Sequence, residues 1–175
     1  MTLTATERQF LHIAKAAVSG GEVTAENVDW PAVFTLANQQ KLLPILFEAA
    51  RKTPAAEENA ALFAVTKQQV IGQVLHQTVR SAEFADLYRK LRTVGLHPIV
   101  VKGQLCSRLY PLKDHRISAD DDLYISDAEF MACHKQLLAN GLTIDTPVDE
   151  LATADEVSYT KNGSPLYIEL HRHLF

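Results

Sequence analysis

A chain of 175 residues that is 47% apolar and 22% charged is long enough to bury a sizeable core and too apolar to be disordered. Its formal charge of −4 disfavours nucleic acid as a partner, while a nucleotide neutralised by a divalent cation stays compatible. No apolar run reaches the length of a membrane span, and the N-terminal "MTLTATERQF" lacks a basic n-region and an apolar h-region, so the expectation is a cytoplasmic protein with no membrane partner.

In chain order, Thr4-x-x-Glu7 reads as a capping box that opens a helix with Phe10, Leu11, Ala14, Ala17 and Val18 on one stripe, ended by Gly20-Gly21. Asp29 can cap a second helix with Pro31 in its first turn and Val33, Phe34 and Ala37 facing inward. Pro44 opens a third, with Leu43, Leu46, Phe47 and Ala50 packed inward. After Pro54, apolar residues recur at threes and fours from Leu62 to Leu91, which predicts one long helix, or two broken near Gly72, ending around Thr93.

The period then changes. "HPIVVKG" predicts a strand closed by a glycine turn at Gly103, "QLCSRLY" a short helix, and "DDLYI" a second strand. Ser126-x-x-Glu129 reads as a capping box for the helix "DAEFMACHKQLLAN", stopped by Gly141, and "LTID" suits a short strand. "EVSYTK" and "PLYIELHRHLF" predict a hairpin turned by Asn162-Gly163. Cys106 and Cys133 fall in different elements and read as reduced thiols.

"RISADDDLYIS" holds the chemistry. Alternation along a strand puts Asp120 and Asp122 on one face, about 7 Å apart, and Asp121 on the other face with Leu123 and Ile125, the buried one. Two carboxylates that close repel unless a cation joins them, and Mg²⁺ takes a few carboxylates together with phosphates and water. The same run also fits a solvated acidic turn. Glu169 adds a third acid on the polar face of a strand whose Ile168, Leu170 and Leu174 are apolar; a carboxylate there is either metal-bound or salt-bridged. A strand, glycine turn and helix start at Lys102-Gly103 suit a phosphate, and Lys102, Arg108, Lys113 and Arg116 lie between that turn and the acids, with Arg108 and Lys113 read as surface charge. His171 reads as a polar neighbour of Glu169. A zinc site from Glu169, His171 and His173 lacks a further spaced ligand.

"VVKGQLCSRLYPLKDHRISADDDLYIS" followed by "YIELHRHLF" resembles the uncharacterised nucleotidyltransferase family of the DNA polymerase β-like superfamily, through Lys102-Gly103, Leu109-Tyr110-Pro111, Arg116, Asp120-x-Asp122 and Glu169-x-His171. "DWPAVFTLANQQKLLPILFEAAR" is similar to the family's helical preface. The resemblance implies an α+β fold: an N-terminal helical subdomain over 1–53, then a polymerase β-like core over 54–175, a small mixed sheet with helices, shortened at its C-terminal end relative to the family.

It further implies a Mg²⁺-dependent enzyme moving a nucleoside monophosphate from an NTP, ATP first, to a small-molecule or protein hydroxyl. Two Mg²⁺ ions, with Mn²⁺ an alternative, would be held by Asp120, Asp122 and Glu169. Lys102, Gly103, Gln104, Arg116 and Ser118 would bind the nucleotide. Three departures stand out: Gly103-Gln104 where the superfamily often has Gly-Ser, Asp121 where an apolar residue is usual, and the early stop at Phe175. A non-catalytic partner protein on the same fold, antitoxin-like or a scaffold subunit, is the alternative.

Overall fold

The computed structural model describes residues 2–24, 27–147, 150–151 and 153–173. The fold is α+β, with a four-stranded mixed sheet and seven α-helices among the described residues. By contacts the chain divides into two compact units, Met1–Leu75 with Leu109–Ile117, and His76–Arg108 with Ser118–Phe175. They part within a helix, at Leu75; an uninterrupted helix carries no local mark of such a division.

The first unit is helical. α1 (Ala5–Ser19) starts at the expected capping box: Glu7 N–H donates to Thr4 Oγ1, and Thr4 N–H donates to the Glu7 carboxylate. Its buried face is Phe10, Ile13 and Ala17, whereas Leu11 and Val18, expected on that stripe, are exposed. α2 (Trp30–Gln39) is capped by Asp29, with Pro31 in its first turn, and α3 (Leu43–Ala50) buries Leu43, Leu46, Phe47 and Ala50 as the spacing predicts. Trp30, Phe34, Phe47 and Phe63 pack ring to ring, with Phe34 and Phe63 edge-on at 5.2 Å between centroids. A short α4 (Ala55–Glu58) precedes α5 (Ala60–Thr93), which runs unbroken through Gly72.

In the second unit the sheet order is β1-β2-β4-β3. β1 (Ile99–Val100) pairs antiparallel with β2 (Asp121–Tyr124), β2 pairs parallel with β4 (Tyr167–His171), and β3 (Glu156–Thr160) pairs antiparallel with β4. α6 (Gln104–Ser107) and α7 (Asp127–Ala139) lie between strands in sequence. One sheet face is apolar: Leu123, Ile125, Ile168 and Leu170 join Phe84, Leu87 and Leu91 of α5 and Phe130, Cys133 and Leu137 of α7 in one buried core.

Three local expectations change. At α7, Ser126 gives its hydroxyl to the Glu129 carboxylate and makes no side-chain cap to the helix backbone, so the expected capping box gives way to a side-chain bond. Asn162-Gly163 does turn the hairpin, with Ser164 N–H closing onto the Lys161 carbonyl, but register pairs Thr160 with Tyr167, so the connection is longer than a two-residue turn. "LTID" reduces to one bridge, Thr143 with Thr160. Leu174, expected to continue the apolar alternation of β4, lies outside the described residues.

Candidate active site

The second sheet face carries the acids. β2 and β4 are parallel neighbours, and their register sets Asp122 beside Glu169 and Tyr124 beside His171. Partners across a parallel pair share a face, so Asp122, Glu169 and His171 gather on one patch of the two central strands. Their ligand atoms all lie within 4.8 Å of one another. His171 Nε2 is 3.2 Å from Asp122 Oδ1 and 4.0 Å from Glu169 Oε2, while its Nδ1 is 3.4 Å from Glu156 Oε2. Lys102 Nζ reaches the same Asp122 Oδ1 at 3.4 Å.

Asp122 is 1% exposed, and its Oδ2 is buried with no hydrogen-bond partner among the described residues. A buried carboxylate oxygen without a partner is costly. A divalent cation bound through Asp122 and Glu169 would remove that cost; the two carboxylates suit a hard cation such as Mg²⁺ or Mn²⁺, and the His171 nitrogen lies within reach as a further donor. Burial, and next the charges of Glu156, Asp120 and Asp122, push the Glu169 carboxyl above its ordinary range. The Asp122 carboxylate in turn raises the Lys102 ammonium, with Asp120 and Glu169 adding to it.

Asp120 precedes β2 and is not among the converging ligands; its charge acts on Glu169 and Lys102. His173 contacts Asp155 at 2.8 Å on the surface, away from the cluster. On β3 the residue paired with Glu169 is Ser158, a small side chain.

Asp121 faces the core, as alternation requires, and its partner is Arg80 of α5. Arg80 Nε donates to Asp121 Oδ2 at 2.9 Å, with the two side chains 2% and 0% exposed. The guanidinium also donates to the Ser118 carbonyl at 2.7 Å and the Tyr167 carbonyl at 3.3 Å. Burial pushes the Asp121 carboxyl upward, against the pull of Arg80 and Gln104. Removing one member of such a buried pair typically costs about 3–5 kcal/mol. The sequence reading did not single out Arg80. The signal was its position, four residues before Phe84 on the stripe that continues through Leu87 and Leu91, where a charge needs a buried partner.

The expected nucleotide-binding residues take several roles. Gly103 has φ +54° and ψ −109°, and a Cβ there would meet Asp121 Oδ1 at 2.5 Å and the Asp120 carbonyl at 3.2 Å. Only glycine lets this turn lie against the aspartate run. Gln104 points its amide at Ser81 Oγ (3.2 Å) and Asp121 Oδ1 (3.3 Å), which ties the turn to the Arg80 pair. Ser118 gives its hydroxyl to the Asp120 carbonyl and its N–H to Gln77 Oε1, so it braces the acid run. α6 is only four residues long and brings little aligned dipole to a phosphate. Arg116 is half-buried and belongs to the first unit, after a 3-10 turn at Lys113–His115.

Compared with known families, residues 26–175 match the one described as uncharacterised nucleotidyltransferase. The chain belongs to that family. The match includes both acid-bearing strands, the Gly103 turn and all but the first part of the helical region, so the family assignment and the site rest on the same residues. The family is one of transferases. No curated protein and no solved structure gave a match. Among the described residues no helix is long and apolar enough to cross a membrane.

Proposed function

We propose that this family member transfers a nucleoside monophosphate from an NTP, ATP first, to a small-molecule or protein hydroxyl, with a divalent cation held by Asp122, Glu169 and His171. The observation that supports it above others is the parallel register that sets Asp122 beside Glu169 and leaves Asp122 Oδ2 buried without a partner. Mg²⁺ is the proposed ion and Mn²⁺ its substitute, with Asp120 flanking the set to serve a second ion. When bound, the cation would offset charge on the α-phosphate and on the departing pyrophosphate. A new O–P bond forms between the acceptor oxygen and the α-phosphorus as the bond to the β-phosphate oxygen breaks, and the hydroxyl proton leaves to a base.

The chain's own residues do the rest. Lys102, whose side chain is exposed, would turn from Asp122 toward the phosphates. Gly103 keeps the turn close to the acids. Glu169, whose carboxyl burial raises, suits the uptake of the acceptor's proton. The acidic balance of the chain favours a small or protein acceptor over nucleic acid.

One observation favours a second reading, that of a non-catalytic partner on the same fold: Asp122 Oδ1 already has His171 and Lys102 beside it, so the acids have cationic company without a metal. Titration calorimetry with Mg²⁺ and each NTP, repeated on Asp122→Asn, separates the two. Metal-dependent binding of one NTP, lost in the variant, is expected. Equal behaviour of both proteins with no nucleotide bound would select the partner protein.

A further inference from the structure

Arg80 spans the base of the candidate site. Its three contacts are not scattered: the Ser118 carbonyl lies two residues before Asp120, the Tyr167 carbonyl lies two residues before Glu169, and Asp121 sits between Asp120 and Asp122. One planar guanidinium therefore holds the chain just ahead of β2 and the first residue of β4, and also the strand residue between the two aspartates. One turn earlier on α5, Gln77 accepts the Ser118 N–H; directly after Arg80, Ser81 accepts from Gln104. Asp121 passes the constraint on to the glycine turn through Gln104 and through its close approach to Gly103.

We infer that Arg80 is a positioning residue for the metal and nucleotide site: it fixes the relative advance of β2 and β4, and hence the placement of Asp122 against Glu169 and His171, without touching the ligand. This inference deepens the proposed function and rests on it for its metal readout. The chemistry of arginine is what the role needs. A lysine keeps the charge but offers a point-like ammonium, which cannot aim donors at a carboxylate and two carbonyls in one plane. A purely structural ion pair, by contrast, can be replaced by apolar side chains of similar volume with little loss of stability.

The test uses Arg80→Lys and the double variant Arg80→Met with Asp121→Leu, each in the full chain and each checked by circular dichroism and thermal melting. Two readouts are taken. Mn²⁺ affinity is measured from the electron paramagnetic resonance signal of the free ion. The contact between His171 Nε2 and Asp122, 3.2 Å in the wild type, is followed in the metal-free proteins by imidazole ¹⁵N shifts and crystal structures.

The expected result is a folded double variant whose Mn²⁺ affinity is lower by about 10–100-fold, the range seen when groups that orient metal ligands are removed, and in which the His171–Asp122 contact is lost. Arg80→Lys should show the same direction. A folded double variant that keeps both the contact and wild-type Mn²⁺ affinity overturns the inference while leaving the metal reading intact. If the wild type binds no Mn²⁺ but the contact is lost in the variants, the positioning role stands and the metal reading falls.

Discussion

Asp122 lies directly beside Glu169 across two parallel strands, and His171 two residues further along reaches back to the Asp122 carboxylate. Two acids on adjacent central strands repel each other, and the chain surrounds them with Lys102, His171 and the Gly103 turn. A cation joining them would relieve that repulsion, so the proposed site should be less stable empty than filled.

That asymmetry predicts the response to metal. Millimolar Mg²⁺ or Mn²⁺ should raise the melting temperature of the wild type, with a stabilisation of about 2.7 kcal/mol when the ion is at a hundred times its dissociation constant. Glu169→Gln should remove most of this shift while melting slightly higher than the wild type in chelator, since one like charge is gone. Differential scanning calorimetry with and without metal checks both halves; a metal-induced shift that survives in Glu169→Gln would count against the cluster.

The raised Glu169 carboxyl gives a pH dependence of known sign. Its folded value lies above its unfolded one, so the stability it contributes is full below the ordinary glutamate range and is lost as pH rises through the raised value. Metal-free wild type should therefore lose stability on that rise relative to Glu169→Gln. Metal binding, which takes the ionised form, should release protons in the same window. Melting curves across pH and calorimetry in buffers of different ionisation enthalpy read the two effects.

Lys102 separates metal from nucleotide. Its side chain is 66% exposed and its ion pair with Asp122 is long, so Lys102→Met should change stability by less than about 0.5 kcal/mol. Taking away a cation beside Asp122 should tighten Mn²⁺ binding, whereas NTP affinity should fall for want of a phosphate partner. Titrations of each ligand alone test the opposite signs; a parallel loss of both would mean that Lys102 acts in some other way.

At Gly103 backbone and space agree. Gly103→Ala places a Cβ into Asp121 Oδ1, on a buried carboxylate whose other oxygen is held by Arg80, and on a backbone that L-residues avoid. A loss of about 2–4 kcal/mol is expected from strain and displaced contacts. Gly72→Ala, in open space on α5, should instead gain about 0.5–1 kcal/mol. Chemical denaturation of the two variants gives the contrast.

Much of this was legible in the residues. The capping boxes, the prolines at helix starts and the change of period after Gly95 located most elements, because each rests on local chemistry. Alternation placed Asp121 on the core face of the sheet and Asp122 on the opposite face for the same reason. The strand order was not legible: nothing local states that β4 inserts beside β2 in parallel, and that pairing is what makes His171 a member of the cluster and leaves Asp120 at its flank. Leu11 and Val18 were assigned inward because an apolar side chain resembles a core residue whether or not a neighbour covers it. Arg80 was hidden because its partners come from residues about forty and ninety positions away.

The two thiols, alike in sequence, are chemically unequal. Cys133 is sealed in the core, where burial pushes it up to about 12, and Cys106 is half-buried on the short helix that leaves the Gly103 turn. A maleimide dye added to the native protein would settle on Cys106 alone and put a fluorophore a few residues from where a triphosphate would rest. The wild-type chain thus takes a single-site optical label with no substitution, and a fluorescence change on adding an NTP would report nucleotide binding.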